Sequence, residues 1–221
     1  MKKIIVGIDE AGRGPAIGPL VICAYSIAED DSQELKKSGV KDSKMLSPST
    51  REQLYNKLSK GTYVVRHITA IELTIAMQKK ISLNELEAKV AGELLNELET
   101  KTSFYRAYID SPDPEPTKYA TRIRQYYHGK AELISENKAD VNYPVASAAS
   151  IIAKVERDKE IQHIKKIVGE DFGSGYSADP KTIDFLRRRH NDQIVQDYMR
   201  HEWATIKNLK IKSKQTGLAE F

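Results

Sequence analysis

A single cysteine in 221 residues rules out a disulfide framework and any Cys-based zinc site. Cys23 lies in the apolar run Leu20 to Tyr25 and reads as a small core residue, with a reducing cytoplasm as the expected compartment. The five histidines have no His-x-x-x-His spacing, which removes a histidine-based metal centre. No Walker A loop is present, because Gly12-Arg13-Gly14 lacks the Gly-Lys-Ser/Thr that cradles a nucleotide phosphate. Nor is there a Ser-His-Asp grouping. No apolar run is long enough to span a membrane as a helix. Met1-Lys2-Lys3 resembles the start of a signal peptide, but only Ile4 to Ile8 follow it before Asp9, too short for the apolar region.

What the chain does hold is a 40% hydrophobic share, enough for a sizeable core in one large domain or a domain with a small appendage. Charged residues make up 30%, with a net charge of +4. That balance permits nucleic-acid binding without requiring it.

The most informative stretch is Ile4-Ile5-Val6-Gly7-Ile8-Asp9-Glu10-Ala11-Gly12-Arg13-Gly14. A short apolar run predicts a buried strand. It ends on two acids, which a buried strand does not carry for stability, because unpaired charge is costly to bury. The glycines that follow let a ligand approach backbone amides closely. A divalent metal held by Asp9 and Glu10 beside a Gly-Arg-Gly cradle for sugar or phosphate is one reading, and a solvated Asp-Glu pair in a tight turn is the other. Adjacent strand residues point to opposite faces, so the two acids share one site only if the strand ends between them.

Further strands are expected at Leu20–Ile27, Thr62–Ile68, Phe104–Ile109 and Ala131–Ser135. Ser47-Pro48 predicts a helix start, and Ser82-Leu83-Asn84-Glu85 predicts a capping box. Behind the box, Leu83, Leu86, Val90, Leu94 and Leu98 form a helical core stripe. The strand at Phe104 also stops on an acid, Asp110. If it lies beside the first strand, Asp9 and Asp110 meet at the sheet edge, where open α/β sheets place their chemistry. Asp140 stands just ahead of a long helix opened by Pro144, whose small residues Ala146 to Ser150 allow close packing. Residues 115–130 mix Lys118, Arg122, Arg124 and Lys130 with Tyr119, Tyr126 and Tyr127. That mixture suits a nucleic-acid face and equally an amphipathic helix. The run Arg187 to His190 likewise fits either a binding patch or a solvated helix face.

Clustered, Asp9, Glu10, Asp110 and Asp140 would raise one another's pKa values. A hard divalent cation, Mg2+ or Mn2+, relieves that repulsion. Two such ions ~4 Å apart can hydrolyse a phosphodiester.

At this point a resemblance becomes specific. Gly7 to Gly14, Lys41-Asp42-Ser43-Lys44, Ile109-Asp110, Lys138-Ala139-Asp140, Ser147 to Asp158 and Gly173-Ser174-Gly175-Tyr176 together resemble the type 2 ribonuclease H family in its archaeal ribonuclease HII form. Ribonuclease HIII carries an extra N-terminal domain, whereas here the first strand begins at once. The resemblance implies an α/β, ribonuclease H-like fold: a mixed central sheet flanked by helices, with a helical C-terminal part. It implies a catalytic core at 1–140, a helical part at 141–208 packed on it, and a flexible basic tail at 209–221. The implied activity is metal-dependent endonucleolytic cutting of RNA in RNA/DNA hybrids and on the 5′ side of ribonucleotides embedded in duplex DNA. Asp9, Glu10, Asp110 and Asp140 would be the catalytic, metal-binding carboxylates. Gly12, Arg13 and Gly14 would read the 2′-hydroxyl, Tyr176 would sense the RNA-to-DNA junction, and Lys44 and Lys154 would contact phosphate. Asn137 departs from the histidine common before Lys-Ala-Asp. The last residues, with Gln215, Leu218 and Phe221, resemble the motif that docks on PCNA-type sliding clamps, shortened because the second aromatic is missing. A monomer without a membrane association is expected. The alternatives are another two-metal nuclease on the same fold and a non-catalytic, clamp-tethered binding module.

Overall fold

The computed structural model describes residues 2–40 and 46–218, with backbone alone for 212–218. Its strands are β1 (Ile4–Ala11), β2 (Leu20–Ala28), β3 (Thr62–Ile68), β4 (Arg106–Asp110) and β5 (Glu132–Glu136). Its helices are α1 (Ser32–Lys37), α2 (Pro48–Leu58), α3 (Ala70–Gln78), α4 (Leu83–Lys101), α5 (Pro116–Arg124), α6 (Ala139–Asn142), α7 (Pro144–Val168), α8 (Pro180–Arg189), α9 (Gln193–Gln196) and α10 (Ala204–Leu218).

The strands form one mixed sheet in the order β3-β2-β1-β4-β5. β1 pairs antiparallel with β2, Ile4 opposite Ala28 and Ala11 opposite Val21. On its other side β1 runs parallel to β4, with Ile8 beside Ile109. β4 runs parallel to β5, with Asp110 beside Glu136. The central strand is buried from Ile5 to Asp9 on both faces, which is why it reads as a continuous apolar run rather than an alternating one.

The chain divides into two compact units, each built from separate stretches. The first comprises Met1–Ala11, Val21–His67 and Ser82–Glu156, and the second Gly12–Leu20, Ile68–Ile81 and Arg157–Phe221. In the first unit, β1 and β2 residues such as Ile5, Val21 and Cys23 pack with Leu54 and Leu58 of α2 and with Val145, Ala148, Ala149 and Ile152 of α7. The small residues opening α7 meet strand β1: a β-carbon on Gly7 would overlap the carbonyl of Val145 and the amide of Ala146. In the second unit, Ala16, Ile17, Ile161, Ile164, Phe172, Phe185 and Met199 form a separate core.

Local signals account for the helix starts. Ser47 accepts a hydrogen bond from the Thr50 amide at 3.1 Å, with Pro48 in the first turn. Ser82 caps α4 by accepting from the Glu85 amide at 3.2 Å. The reciprocal half of that box is replaced, because the Glu85 carboxylate instead accepts from the Tyr126 hydroxyl at 2.6 Å. A complete capping box sits at α3, where Thr69 and Glu72 exchange both bonds. The Thr69-Ala70-Ile71-Glu72 spacing announces it. The periodicity around it does not: Leu73 and Ala76 are buried, while Ile71 and Ile75 are exposed, so apolar residues ring the helix. α10 runs helical to Leu218 across the segment assigned from sequence to a tail, in keeping with its Leu and Lys content.

Two basic segments resolve as structural. Tyr119 and Tyr127 are buried, Arg122 pairs with Asp113, and Arg124 donates to the carbonyls of Gly129 and Ala131. Within 115–130, Pro116–Arg124 is therefore an amphipathic helix, with Tyr119 and, just beyond it, Tyr127 directed to the core. Arg188 pairs with Glu170 and Asp184, and Arg189 with Asp192, which balances the charge of these two arginines, while His190 is buried.

Candidate active site

Parallel pairing of β1 and β4 brings their C-terminal ends side by side, so the acid after Ile8 and the acid after Ile109 fall at the same edge. Asp140 arrives from the turn after β5. Lys138 adopts a left-handed conformation there (φ 63°), which reverses the chain into α6. The amide of Ala139 then donates to Asp110 Oδ1 at 2.7 Å, tying the third acid to the second. Asn137 fixes the same turn, its Nδ2 donating to the carbonyls of Ser111 at 3.0 Å and Asp113 at 2.9 Å. The residue that departs from the family pattern thus holds two loops together. The result is a trio, Asp9, Asp110 and Asp140, each offering a carboxylate oxygen within 4.8 Å of the others.

Glu10 is not part of that trio. β1 continues through it to Ala11, which still pairs with Val21, so Asp9 and Glu10 leave the strand on opposite faces. Glu10 remains coupled to Asp9 in two ways: its amide donates to Asp9 Oδ1 at 2.6 Å, and its charge opposes ionisation of Asp9.

Burial pushes the Asp9 carboxyl well above the usual carboxylate range, and the charges of Glu10 and Asp110 push it further. Lys154 and a hydrogen bond from Ser150, both on α7, pull it back. Lys154 Nζ donates to Ser150 Oγ at 2.7 Å, so the two side chains stand together one helical turn apart. Ser150 had no assigned role from sequence; its four-residue spacing from Lys154 was the available signal. Buried carboxylates that repel one another, with oxygen donors only, are what a hard divalent cation satisfies.

The second unit groups another set of predicted residues. Gly12 takes a left-handed conformation (φ 82°) that L side chains rarely adopt, and a β-carbon there would strike Arg157. Gly14 is exposed, and a β-carbon on it would lie 3.6 Å from Cε1 of Tyr176. Tyr176 is 39% exposed, and its ring lies 5.2 Å from the guanidinium carbon of Arg157. Arg157 Nη2 also donates to the Ser174 carbonyl at 3.0 Å. The tyrosine's loop is tied down by Asp179, which accepts from the Ser174 amide at 2.7 Å and hydroxyl at 2.8 Å. Gly12, Arg13, Gly14 and Tyr176 therefore belong to one local assembly. Lys44 and Phe221 lie outside the described residues. Gln215 and Leu218 fall on α10 where the backbone alone is described. Among the described residues no helix is long and apolar enough to cross a membrane.

A protein-family model for ribonuclease HII matches residues 6–206. Ribonuclease HII of Methanocaldococcus jannaschii is 42% identical, across 97% of this chain and 98% of that protein. The fold resembles the crystal structure of ribonuclease H2 from Pyrococcus horikoshii, with a TM-score of 0.84 and 40% identity over 95% of this chain and 98% of that one. It also resembles the ribonuclease HII of Archaeoglobus fulgidus solved in complex with PCNA, with a TM-score of 0.81 and 37% identity over 90% of this chain and 95% of that one.

Proposed function

The chain belongs to the ribonuclease HII family, endoribonucleases that cleave RNA in RNA/DNA hybrids, and from that premise we propose that it also nicks duplex DNA on the 5′ side of an embedded ribonucleotide. The products are a 3′-hydroxyl and a 5′-phosphate. The observation that carries the proposal is the trio of Asp9, Asp110 and Asp140 at one sheet edge, the first and last buried and Asp110 half-buried.

Asp9, Asp110 and Asp140, with Glu10 beside Asp9 on the strand, would hold a divalent cation, Mg2+ or Mn2+. Two such ions, when bound, supply an activated water and stabilisation of the leaving oxygen. The chain's own residues do the rest. Asp110 is oriented by the Ala139 amide, which donates to its Oδ1. Lys154, held by Ser150, brings positive charge toward the carboxylates and toward substrate phosphate. Gly12, Arg13 and Gly14 read the 2′-hydroxyl, the group that separates RNA from DNA. Tyr176 packs on the sugar that follows and senses the junction, and Lys44 contacts phosphate.

In the cell this activity removes embedded ribonucleotides and processes RNA primers. The protein acts as a monomer in the cytoplasm. Gln215, Leu218 and Phe221 dock on a PCNA-type sliding clamp, a reading supported by the complex that the A. fulgidus relative forms.

The test is cleavage of an end-labelled DNA duplex with one ribonucleotide, beside a continuous RNA/DNA hybrid, with Mg2+, Mn2+ or chelator. A metal-dependent nick 5′ to the ribonucleotide is expected. Tyr176→Ala in the same assay should lose about 10-fold or more at the single ribonucleotide, the scale of one stacking contact, with a smaller loss on continuous hybrid. Equal losses on both substrates would remove the junction-sensing role. Cutting of hybrid alone would leave the family activity and discard the embedded-ribonucleotide activity.

A further inference from the structure

Arg200 is fully buried, the largest such side chain among the described residues. A guanidinium cannot shed its charge, so burying one requires fixed acceptors. Here the acceptors are backbone carbonyls of one turn. Nη2 donates to the Gly12 carbonyl at 2.6 Å, Nη1 to that of Arg13 at 3.0 Å, and Nε to that of Gly18 at 2.9 Å. The guanidinium also lies 5.0 Å from the ring of Trp203. The Arg200 backbone joins in: its amide donates to the Ala16 carbonyl at 2.9 Å, and Met199 bridges to Ile17. A single residue therefore donates to carbonyls from one end of the Gly12–Gly18 turn to the other.

Two of those bonds have a geometric consequence. The peptide is planar and trans, with C=O and N–H pointing in opposite directions. Drawing the Gly12 and Arg13 carbonyls toward Arg200 turns the Arg13 and Gly14 amides to the other side. Gly14 itself is exposed, and a β-carbon on it would lie 3.6 Å from the Tyr176 ring. A cation on the carbonyl end of a peptide also polarises it and strengthens its N–H as a donor. Gly12 supplies the left-handed φ that the arrangement needs.

We infer that Arg200 is the positioning residue for ribose recognition, holding the Gly12-Arg13-Gly14 turn so that its amides face the 2′-oxygen of the nucleotide at the cut. The inference rests on the proposed reading that this turn contacts the ribose. Arg200 does not touch substrate; it acts through the turn.

The test compares wild type, Arg200→Lys and Arg200→Ala on the duplex with one ribonucleotide, at saturating metal, with kcat and KM measured separately. Lysine keeps the charge but supplies one point donor where three carbonyls are spread out, so Arg200→Lys should fold. Its kcat should fall about 100-fold, the scale of a misplaced contact. KM should stay within about 3-fold, because phosphate contacts dominate affinity. Guanidinium ion at sub-denaturing concentration should recover part of the Arg200→Ala rate, with sodium at equal ionic strength recovering none. Should Arg200→Ala fail to fold, Arg200→Lys alone decides. Wild-type kcat in folded Arg200→Lys would overturn the inference, as would a loss in Arg200→Ala confined to KM and untouched by guanidinium. A wild-type protein that leaves the ribonucleotide duplex uncut defeats the underlying reading, whereas an active wild type with unaffected variants defeats this inference alone.

Discussion

Asp110→Asn is expected to lower cleavage of RNA/DNA hybrid about 1000-fold or more, while hybrid binding stays near wild type. The substitution is nearly isosteric. Asparagine keeps Oδ1, so the bond from the Ala139 amide that ties α6 to β4 survives. What disappears is a negative charge in a trio whose oxygens lie within 4.8 Å of one another. Binding rests on phosphate contacts spread over the surface and does not depend on that charge.

The same variant makes a stability prediction with a definite sign. Burial and the charges of Glu10 and Asp110 raise the Asp9 pKa above its unfolded value. An acid raised in the folded state opposes folding once it ionises, so that penalty grows as pH rises through the shifted range. Removing the Asp110 charge removes one of the causes. In chelator at neutral pH, Asp110→Asn should therefore unfold at the wild-type temperature or above it. Divalent metal should then raise the wild-type midpoint much more than the variant's. A variant that unfolds well below wild type in chelator would mean that its lost activity reports misfolding rather than lost chemistry.

Gly7→Ala is the substitution expected to damage the fold most. Gly7 lies in the buried centre of β1, and α7 crosses it so closely that an added β-carbon would overlap the Val145 carbonyl and the Ala146 amide. Both obstacles are backbone, so no rotamer change relieves them and the strand or the helix must shift. Overpacking of this kind costs about 3 kcal/mol. For a chain of 221 residues that corresponds to a melting temperature lower by roughly 10 °C. Asp9 lies two residues along, and Ser150 and Lys154 ride on the displaced helix, so activity should fall further than stability alone explains. Gly14→Ala is the matched control for the fold. Its new carbon would meet nothing nearer than the Tyr176 ring at 3.6 Å, and melting should move by no more than about 2 °C. A Gly7→Ala protein melting with wild type would show that β1 and α7 are not packed as described.

How far these features could be read from the sequence depended on how local their causes are. β1 and β4 could be read because each is an apolar run stopping on an acid, and the pairing that joins Asp9 to Asp110 follows from topology common to open α/β sheets. Ser47-Pro48 and Ser82 could be read as helix starts because a cap is a contact within one turn. How far β1 continues past its acids could not be decided, since it depends on pairing with β2, which runs on to Ala11 opposite Val21. Interleaved arginine and tyrosine in 115–130 looked the same whether the rings face solvent or core; burial of Tyr119 and Tyr127 distinguishes the two. Arg200 was invisible in sequence. It sits in a polar stretch with no periodicity, and its partners at Gly12, Arg13 and Gly18 are brought to it only by the fold. The grouping of Gly12–Leu20 with Arg157–Phe221 has the same long-range origin.

Direct titration of the metal-free protein with Mn2+, following free ion by its paramagnetic signal, tests the central claim that the aspartate trio is the metal centre. Wild type should take up Mn2+, and Asp110→Asn should bind it at least about 10-fold more weakly. A wild type that binds no Mn2+, or an Asp110→Asn protein that binds it as tightly as wild type, would contradict the account.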